Sequence, residues 1–206
     1  MKEVVPSQLT ERERYKLLTG AIIPRPIAWT LTKNQETGTL NLAPFSFFTV
    51  LASQIPMVTL SIFCRHGEMK DTAQNLVTTG EGVIHIVDQA HLAQMNQTAA
   101  TLTPDESEIE INRLETVPAQ TISTPRLVDV TVALEVKVQS HVPLNDDDGQ
   151  PMTDLFMLEV VHFSFRDDLL DEDKYYVDAK GLNPISRLAG SNYGTLGDII
   201  AVERPK

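Results

Sequence analysis

Lys70-Asp71-Thr72 brings an ammonium, a carboxylate and a hydroxyl to the point where a charged loop (Cys64 to Lys70) runs into a helical pattern. A helix begins with unpaired N–H groups and the positive end of its dipole, so such a junction suits an anion, phosphate above all. Arg65 adds a guanidinium. Asp71 would repel a phosphate, which suits it better to capping the helix or organising Lys70. The same residues also fit a plain helix cap from Asp71 or Thr72 with no ligand. A second set lies upstream. Thr30, Thr32, Asn41 and Ser46 carry hydroxyl or amide groups on or beside a hairpin. Within Asn41–Phe48 (NLAPFSFF), Ala43 has little bulk, Pro44 lacks an N–H, and Phe45, Phe47 and Phe48 supply apolar surface. A flat aromatic ligand needs such a wall; a core-lining loop between strands is the alternative reading.

Sharper motifs are missing. Gly80-x-Gly82 precedes a strand, and Gly190, Gly194 and Gly197 have the wrong spacing, so neither is a dinucleotide fingerprint. The histidines 66, 85, 91, 141 and 162 are scattered without HExxH, and with Cys64 as the single cysteine no zinc site is expected. Aligning Gly149 as a calcium-loop glycine puts Leu144 and Leu155 at ligand positions, which fails. No catalytic side chain is assigned.

The elements that must position these residues read mostly as short strands. Thr10-Glu-Arg-Glu13 is a capping box opening a helix over residues 11–19, with Tyr15 and Leu18 on an apolar face and Gly20 as its stop. Ile27, Trp29 and Leu31 alternate with polar or small residues as in a strand; residues 34–38 turn the chain and 39–42 return it. Trp29 reads as core. Strands follow over 57–63 and 82–87, helices over 71–79 and 91–100. In the first of these helices Ala73, Leu76 and Val77 share a face and Gly80 is the stop. Residues 101–124 form an acidic excursion with Pro104 and Pro118, too long for a bare connection, which must pack on the sheet or on a partner. Residues 127–138 alternate cleanly, 145–149 turn, and 155–165 are apolar on both faces, as in a central or intersubunit strand. The remainder is polar and irregular. Strands without regular intervening helices argue for a closed or partly closed antiparallel barrel.

The 206 residues allow a sizeable core. The balance of 17 basic against 28 acidic residues, net −11, argues against nucleic acid or an anionic membrane as partner. A single cysteine excludes an intrachain disulfide, and no signal peptide or apolar run of about 20 residues is expected, so the reading is a cytoplasmic protein. Cys64 reads as a buried, inert thiol.

Residues 24–29 (PRPIAW), 41–48 (NLAPFSFF), 70–75 (KDTAQN) and 187–194 (RLAGSNYG) resemble, in order, the motifs of the flavin reductase-like, FMN-binding split-barrel proteins, the flavoredoxin and NAD(P)H:flavin oxidoreductase type. The resemblance spans residues 10–193. It implies a mostly β fold with short helices, an antiparallel split β-barrel of Greek-key type, in one domain over residues 1–206. It further implies FMN as cofactor, NADH or NADPH as co-substrate, and a homodimer with the cofactor near the subunit interface. The residues it assigns to the cofactor are Thr30, Thr32, Asn41, Ala43, Pro44, Phe45, Ser46, Phe47, Ser61, Arg65, Lys70, Asp71, Thr72, Gly190 and Tyr193. Hydride transfer to flavin needs no side-chain base, which is consistent with the lack of an acid–base pair. An electron-transfer flavoprotein without nicotinamide turnover and a cofactor-free interaction module are the alternatives.

Overall fold

The structure is a computed structural model describing residues 1–103 and 105–205. Helix α1 (Glu11–Ala21) opens with the expected capping box, Thr10 and Glu13 each accepting from the other's backbone. It runs through Gly20, and its apolar residues Tyr15 and Leu18 remain half exposed. After β1 (Arg25–Pro26) come β2 (Ala28–Lys33), β3 (Leu40–Phe45), β4 (Phe48–Ala52), β5 (Met57–Phe63), α2 (Asp71–Thr79) and β6 (Glu81–Ile86). The excursion carries α3 (Leu92–Gln97), α4 (Glu108–Ile111) and the short pair β7 (Thr116–Val117) and β8 (Arg126–Leu127). The long hairpin β9 (Val132–Asn145) and β10 (Pro151–Phe165) follows. The chain ends with β11 (Leu170–Asp171), β12 (Tyr176–Val177), α5 (Ala179–Leu182), β13 (Ser186–Arg187) and β14 (Tyr193–Gly194).

One antiparallel sheet of seven strands organises the molecule, in the order β3-β2-β6-β9-β10-β5-β4. Its two edge strands, β3 and β4, are consecutive in sequence and joined only by Ser46 and Phe47. The sheet must therefore curl until its edges meet, yet β3 and β4 do not pair and the seam stays open. This is a split barrel: of the closed and partly closed forms expected, the structure takes the second. Pro44 lies inside β3 opposite Trp29, a position an edge strand tolerates because the missing N–H belongs to no second ladder. The segment from Asn41 is thus largely a strand, not an irregular loop, and β4 was not foreseen.

Strand β2 is buried on both faces. Ala28 joins Leu60, Ala73, Leu76, Ile84 and Phe156 on one side, while Trp29 and Leu31 join Leu42, Val83 and Met95 on the other. Trp29 is core, donating from Nε1 to Thr98 Oγ1 at 2.9 Å. Helix α2 lies close on β2 and β6 because Gly82 has no side chain: a Cβ there would meet Leu31 O and Leu76 Cδ2 at 3.2 Å. Its buried face includes Ala73, Asn75 and Leu76, whereas Val77 points outward. Gly80 ends the helix in the left-handed conformation (φ 72°). The 127–138 pattern starts its main-sheet pairing only at Val132, because Arg126–Leu127 peel off to pair with β7. Strand β10 is central, as its apolar faces require.

The acidic excursion is held on the sheet by carboxylates. Glu135 accepts from the Gln120 and Thr121 amides (both 2.7 Å) and the Thr121 hydroxyl (2.6 Å), and Glu81 accepts from Ser123 and Thr124. Burial alone would raise both carboxyl pKa values, but the hydrogen bonds outweigh it and hold them below the usual range.

His85 bridges the same layers with no exposed surface. Its Nε2 accepts the Leu127 N–H at 3.1 Å, so Nδ1 carries the proton and donates to Trp29 O at 3.0 Å. Burial lowers its pKa from 6.5 to about 4. The neutral ring therefore contributes stability that is present above pH 6.5 and lost as pH falls toward 4, about 3 kcal/mol in all. Urea unfolding midpoints measured across that window should drop more steeply for the wild type than for His85→Gln.

Candidate functional site

A crevice of about 470 Å³ lies where the exit of the first hairpin faces the start of α2. Asn41, Ala43, Pro44 and Phe45 line it from the hairpin, and Lys70, Asp71 and Thr72 from the head of α2. Cys64, Arg65, His66 and Glu68 from the loop after β5 and Thr98 to Leu102 with Glu108 from the excursion complete the lining. The loop after β5 is a tight hairpin: Arg65 and Glu68 exchange backbone hydrogen bonds (2.8 and 3.0 Å) across His66 and Gly67, both at positive φ (52° and 78°). That turn sets Arg65 at the mouth, where its Nη1 donates to Thr101 Oγ1 at 2.7 Å.

Lys70 is the N-cap of α2 and makes no side-chain cap bond, so the first-turn amides stay open toward the crevice. Its ammonium stands 5.9 Å from the centre of the Phe45 ring. Desolvation, then the nearby Arg65 charge, push its pKa below the usual lysine value. The Thr72 hydroxyl donates to Asn41 Oδ1 at 2.6 Å, binding β3 to the head of α2. Cationic, hydroxyl and amide donors on one side of an apolar aromatic wall can hold a phosphorylated planar molecule.

Asn41, Ala43, Pro44, Phe45, Arg65, Lys70, Asp71 and Thr72 are therefore brought together as expected. Other expected contacts are not in this crevice. Thr30 and Thr32 have no exposed surface: Thr30 bonds back to Ala28 O (3.3 Å), and Thr32 accepts from Asn75 Nδ2 (3.1 Å) beneath α2. Their hydroxyls serve the core because β2 is covered on both faces. Ser61 shares a hydrogen bond with Thr153 Oγ1 on the neighbouring strand (3.4 Å). Ser46 accepts from Arg25 Nε (3.4 Å), and Phe47 packs edge-on against Phe63, centroids 4.9 Å apart.

Gly190 and Tyr193 belong to a hairpin on β1. Gly190 O accepts from Arg187 Nη2 (2.6 Å), and Tyr193 lies under the Arg187 guanidinium and donates to Asn96 Oδ1 (3.0 Å). Arg25 ties that hairpin to the barrel. Buried, it donates to Thr19 O (2.7 Å), Ile22 O (2.6 Å) and Leu188 O (3.1 Å).

The sequence profile of the flavin reductase like domain matches residues 20–184. The chain belongs to the flavin reductase-like family. An uncharacterized protein of Halalkalibacterium halodurans, BH2278, is 39% identical over 201 residues, covering 97% of this chain and 95% of its own. Nitrilotriacetate monooxygenase component B from Bacillus cereus superposes with a TM-score of 0.94 at 39% identity, over 98% of both chains. The 2-nitrobenzoate 2-nitroreductase NbaA of Pseudomonas fluorescens gives a TM-score of 0.88 at 29% identity, over 99% of this chain and 96% of its own. As a flavin reductase-like chain, the protein shares their split-barrel architecture, and no helix among its described residues is long and apolar enough to cross a membrane.

Glu108, Thr98 to Leu102, Cys64, His66 and Glu68 are crevice residues that sequence reasoning did not assign. Glu108 sits in an acid-rich segment, and among 28 acidic residues nothing in its spacing sets it apart. Cys64, expected as a buried inert thiol, is only partly buried. Its thiol faces Asp154 Oδ2 (3.4 Å), whose other oxygen meets His141 Nε2 (2.7 Å). Burial, followed by that carboxylate, raises the thiol pKa above 9.0. Iodoacetamide at about pH 8 should alkylate Cys64 several-fold more slowly than a free cysteine. Asp154→Asn should speed the reaction, followed by mass spectrometry; equal rates would show that the carboxylate does not hold the thiol protonated.

Proposed function

We propose that this chain is an FMN-binding oxidoreductase that passes hydride from NADH or NADPH to flavin, working as a homodimer. The observation that carries the reading is the crevice itself: the aromatic exit of β3 and the uncapped, lysine-bearing start of α2 face each other across one cavity. In this reading the first-turn amides of α2, Lys70 and Arg65 hold the phosphate. Pro44 and Phe45 flank the ring system. Strand β3 pairs only with β2; on its free edge Leu42 N–H and Leu40 O are already taken by Glu108 and Ser107, and Pro44 has no N–H. The bound flavin would supply the hydride-accepting centre; the side chains hold and orient it, and no side-chain base is required. The names of the B. cereus and P. fluorescens relatives, a monooxygenase component and a nitroreductase, support redox chemistry on this framework.

The homodimer is supported by apolar surface beside the open seam. Val50, Leu51 and Ile55 on β4 and its turn, and Phe63 at the end of β5, are all exposed in the single chain. Light scattering should give twice the mass of one chain, and Val50→Asp should shift it toward the monomer.

The purified protein should bind FMN with the yellow flavin absorption. Each charge-assisted bond to the phosphate contributes about 1.5–3 kcal/mol. Lys70→Ala should therefore weaken FMN about tenfold or more, while riboflavin, lacking the phosphate, should lose little. Anaerobic oxidation of NADH or NADPH in the presence of FMN tests the reaction. Turnover supports the reductase. Flavin that binds but is reduced only by a protein donor would make the chain an electron carrier, and no flavin binding at all would end both readings.

A further inference from the structure

Glu108 reaches the crevice from the excursion, opposite the chemistry assigned to α2. It is 4% exposed. Its Oε2 accepts the Leu42 N–H at 2.9 Å, and both carboxylate oxygens lie 3.3 Å from Asn41 Nδ2. The preceding Ser107 hydroxyl donates to Leu40 O at 2.6 Å, so α4 is clamped to β3. A carboxylate only accepts, which orients the Asn41 carboxamide: its nitrogen faces Glu108 and its oxygen faces Thr72. That oxygen takes the Thr72 hydroxyl proton at 2.6 Å. The chain of donors thus runs from Thr72 to Asn41 and from Asn41 to Glu108, and Thr72 presents lone pairs, not a proton, to the crevice.

A phosphate dianion at the head of α2 needs the opposite. It accepts hydrogen bonds only, and a threonine lone pair facing it is repulsive. The conflict is resolved if the Asn41 carboxamide turns over and every bond in the network re-forms with reversed polarity. A proton on Glu108 donates to Asn41 Oδ1, Asn41 Nδ2 then donates to Thr72 Oγ1, and the Thr72 proton turns to the phosphate. The number of hydrogen bonds is conserved and one proton enters from solvent.

We propose that Glu108 is a positioning residue that sets the polarity of the Glu108–Asn41–Thr72 chain, and that a phosphate entering the crevice reverses this polarity with uptake of one proton at Glu108. Burial, with Asp71 adding to it, already raises the Glu108 carboxyl above the usual 4.5, which eases that uptake. The other charged or titratable groups on the crevice are Lys70 and Asp71 on α2, and Cys64, Arg65, His66 and Glu68 on the hairpin after β5. A comparison with a Glu108 variant cancels their contributions and that of the phosphate's own ionisation.

This inference rests on the phosphate-binding reading above. FMN affinity is measured for the wild type and Glu108→Gln from about pH 5.5 to 8.5. Glutamine is neutral and keeps an acceptor for Leu42 N–H while its amide can donate to Asn41 Oδ1, so the variant reaches the phosphate-ready polarity without taking up a proton. Its affinity relative to wild type should rise with pH, by up to tenfold per pH unit once Glu108 is ionised in the free protein. Riboflavin should show no such divergence. Calorimetry of FMN binding to the wild type near pH 8, in buffers of different ionisation enthalpy, should report uptake of close to one proton.

Parallel pH profiles for the two proteins overturn the proposal while leaving FMN binding intact. So does an absence of proton uptake, which also decides the matter if Glu108→Gln does not fold. Failure of the wild type to bind FMN at any pH removes the underlying reading as well.

Discussion

The hydrogen bond from the Thr72 hydroxyl to the Asn41 carboxamide joins two segments that the sheet topology would otherwise leave independent. Asn41 lies on the edge strand of an open barrel, and Thr72 is in the first turn of the helix covering its interior. An edge strand has one neighbour only, so its position at the seam must be set by something beyond the ladder. Here a buried threonine, an asparagine and the Glu108 carboxylate set it from the opposite side. The approach of α2 that makes the bond possible depends in turn on Gly82, since any side chain there would push the helix off β2.

A few of the carboxylates are used inside the molecule. Glu81, Glu108 and Glu135 each accept backbone or side-chain donors from a segment with almost no ladder of its own, or from the strand it covers. A long connection packed on a sheet carries amides that lack water and lack a strand partner, and a carboxylate satisfies two or three at once. The net charge of −11 is therefore a poor measure of the field a partner would meet. It reflects, in part, how residues 105–124 are pinned down.

What could be read from the sequence follows the same division. Local signals were reliable where one interaction decides the structure: the Thr10–Glu13 capping box, the left-handed stop at Gly80 and the turn at residues 145–149. Residues 155–165 form an interior strand as expected, but only Phe156, Leu158 and Val160 on one face are buried, and Phe163 is exposed. That Lys70, Asp71 and Thr72 would stand together at one end of a crevice was also legible, because they adjoin a helix start in the chain itself. Thr30 and Thr32 misled because period-two alternation says which residues share a face but not whether the second face is covered; α2 covers it. Gly20 misled because a glycine one residue before the end of a helix is indistinguishable, in sequence, from one just past it. Strand β4 and the start of β9 depended on pairing partners far along the chain. Glu108 was invisible for a further reason. Its significance lies in the polarity of the bonds it accepts, a property of three residues from three separate elements.

Those three elements also bring acidic and basic side chains to one crevice. Arg65 and Lys70 face Glu68, Asp71 and Glu108 across the same cavity, so without a ligand the charges largely offset one another. Lys70 responds to Arg65 and to desolvation by a lowered pKa, Glu108 to burial and Asp71 by a raised one. Each group is thus held closer to neutrality than it would be in water, and each departure is of the sign a bound dianion would act on: it draws the lysine back to its charged form and the glutamic acid to its neutral one.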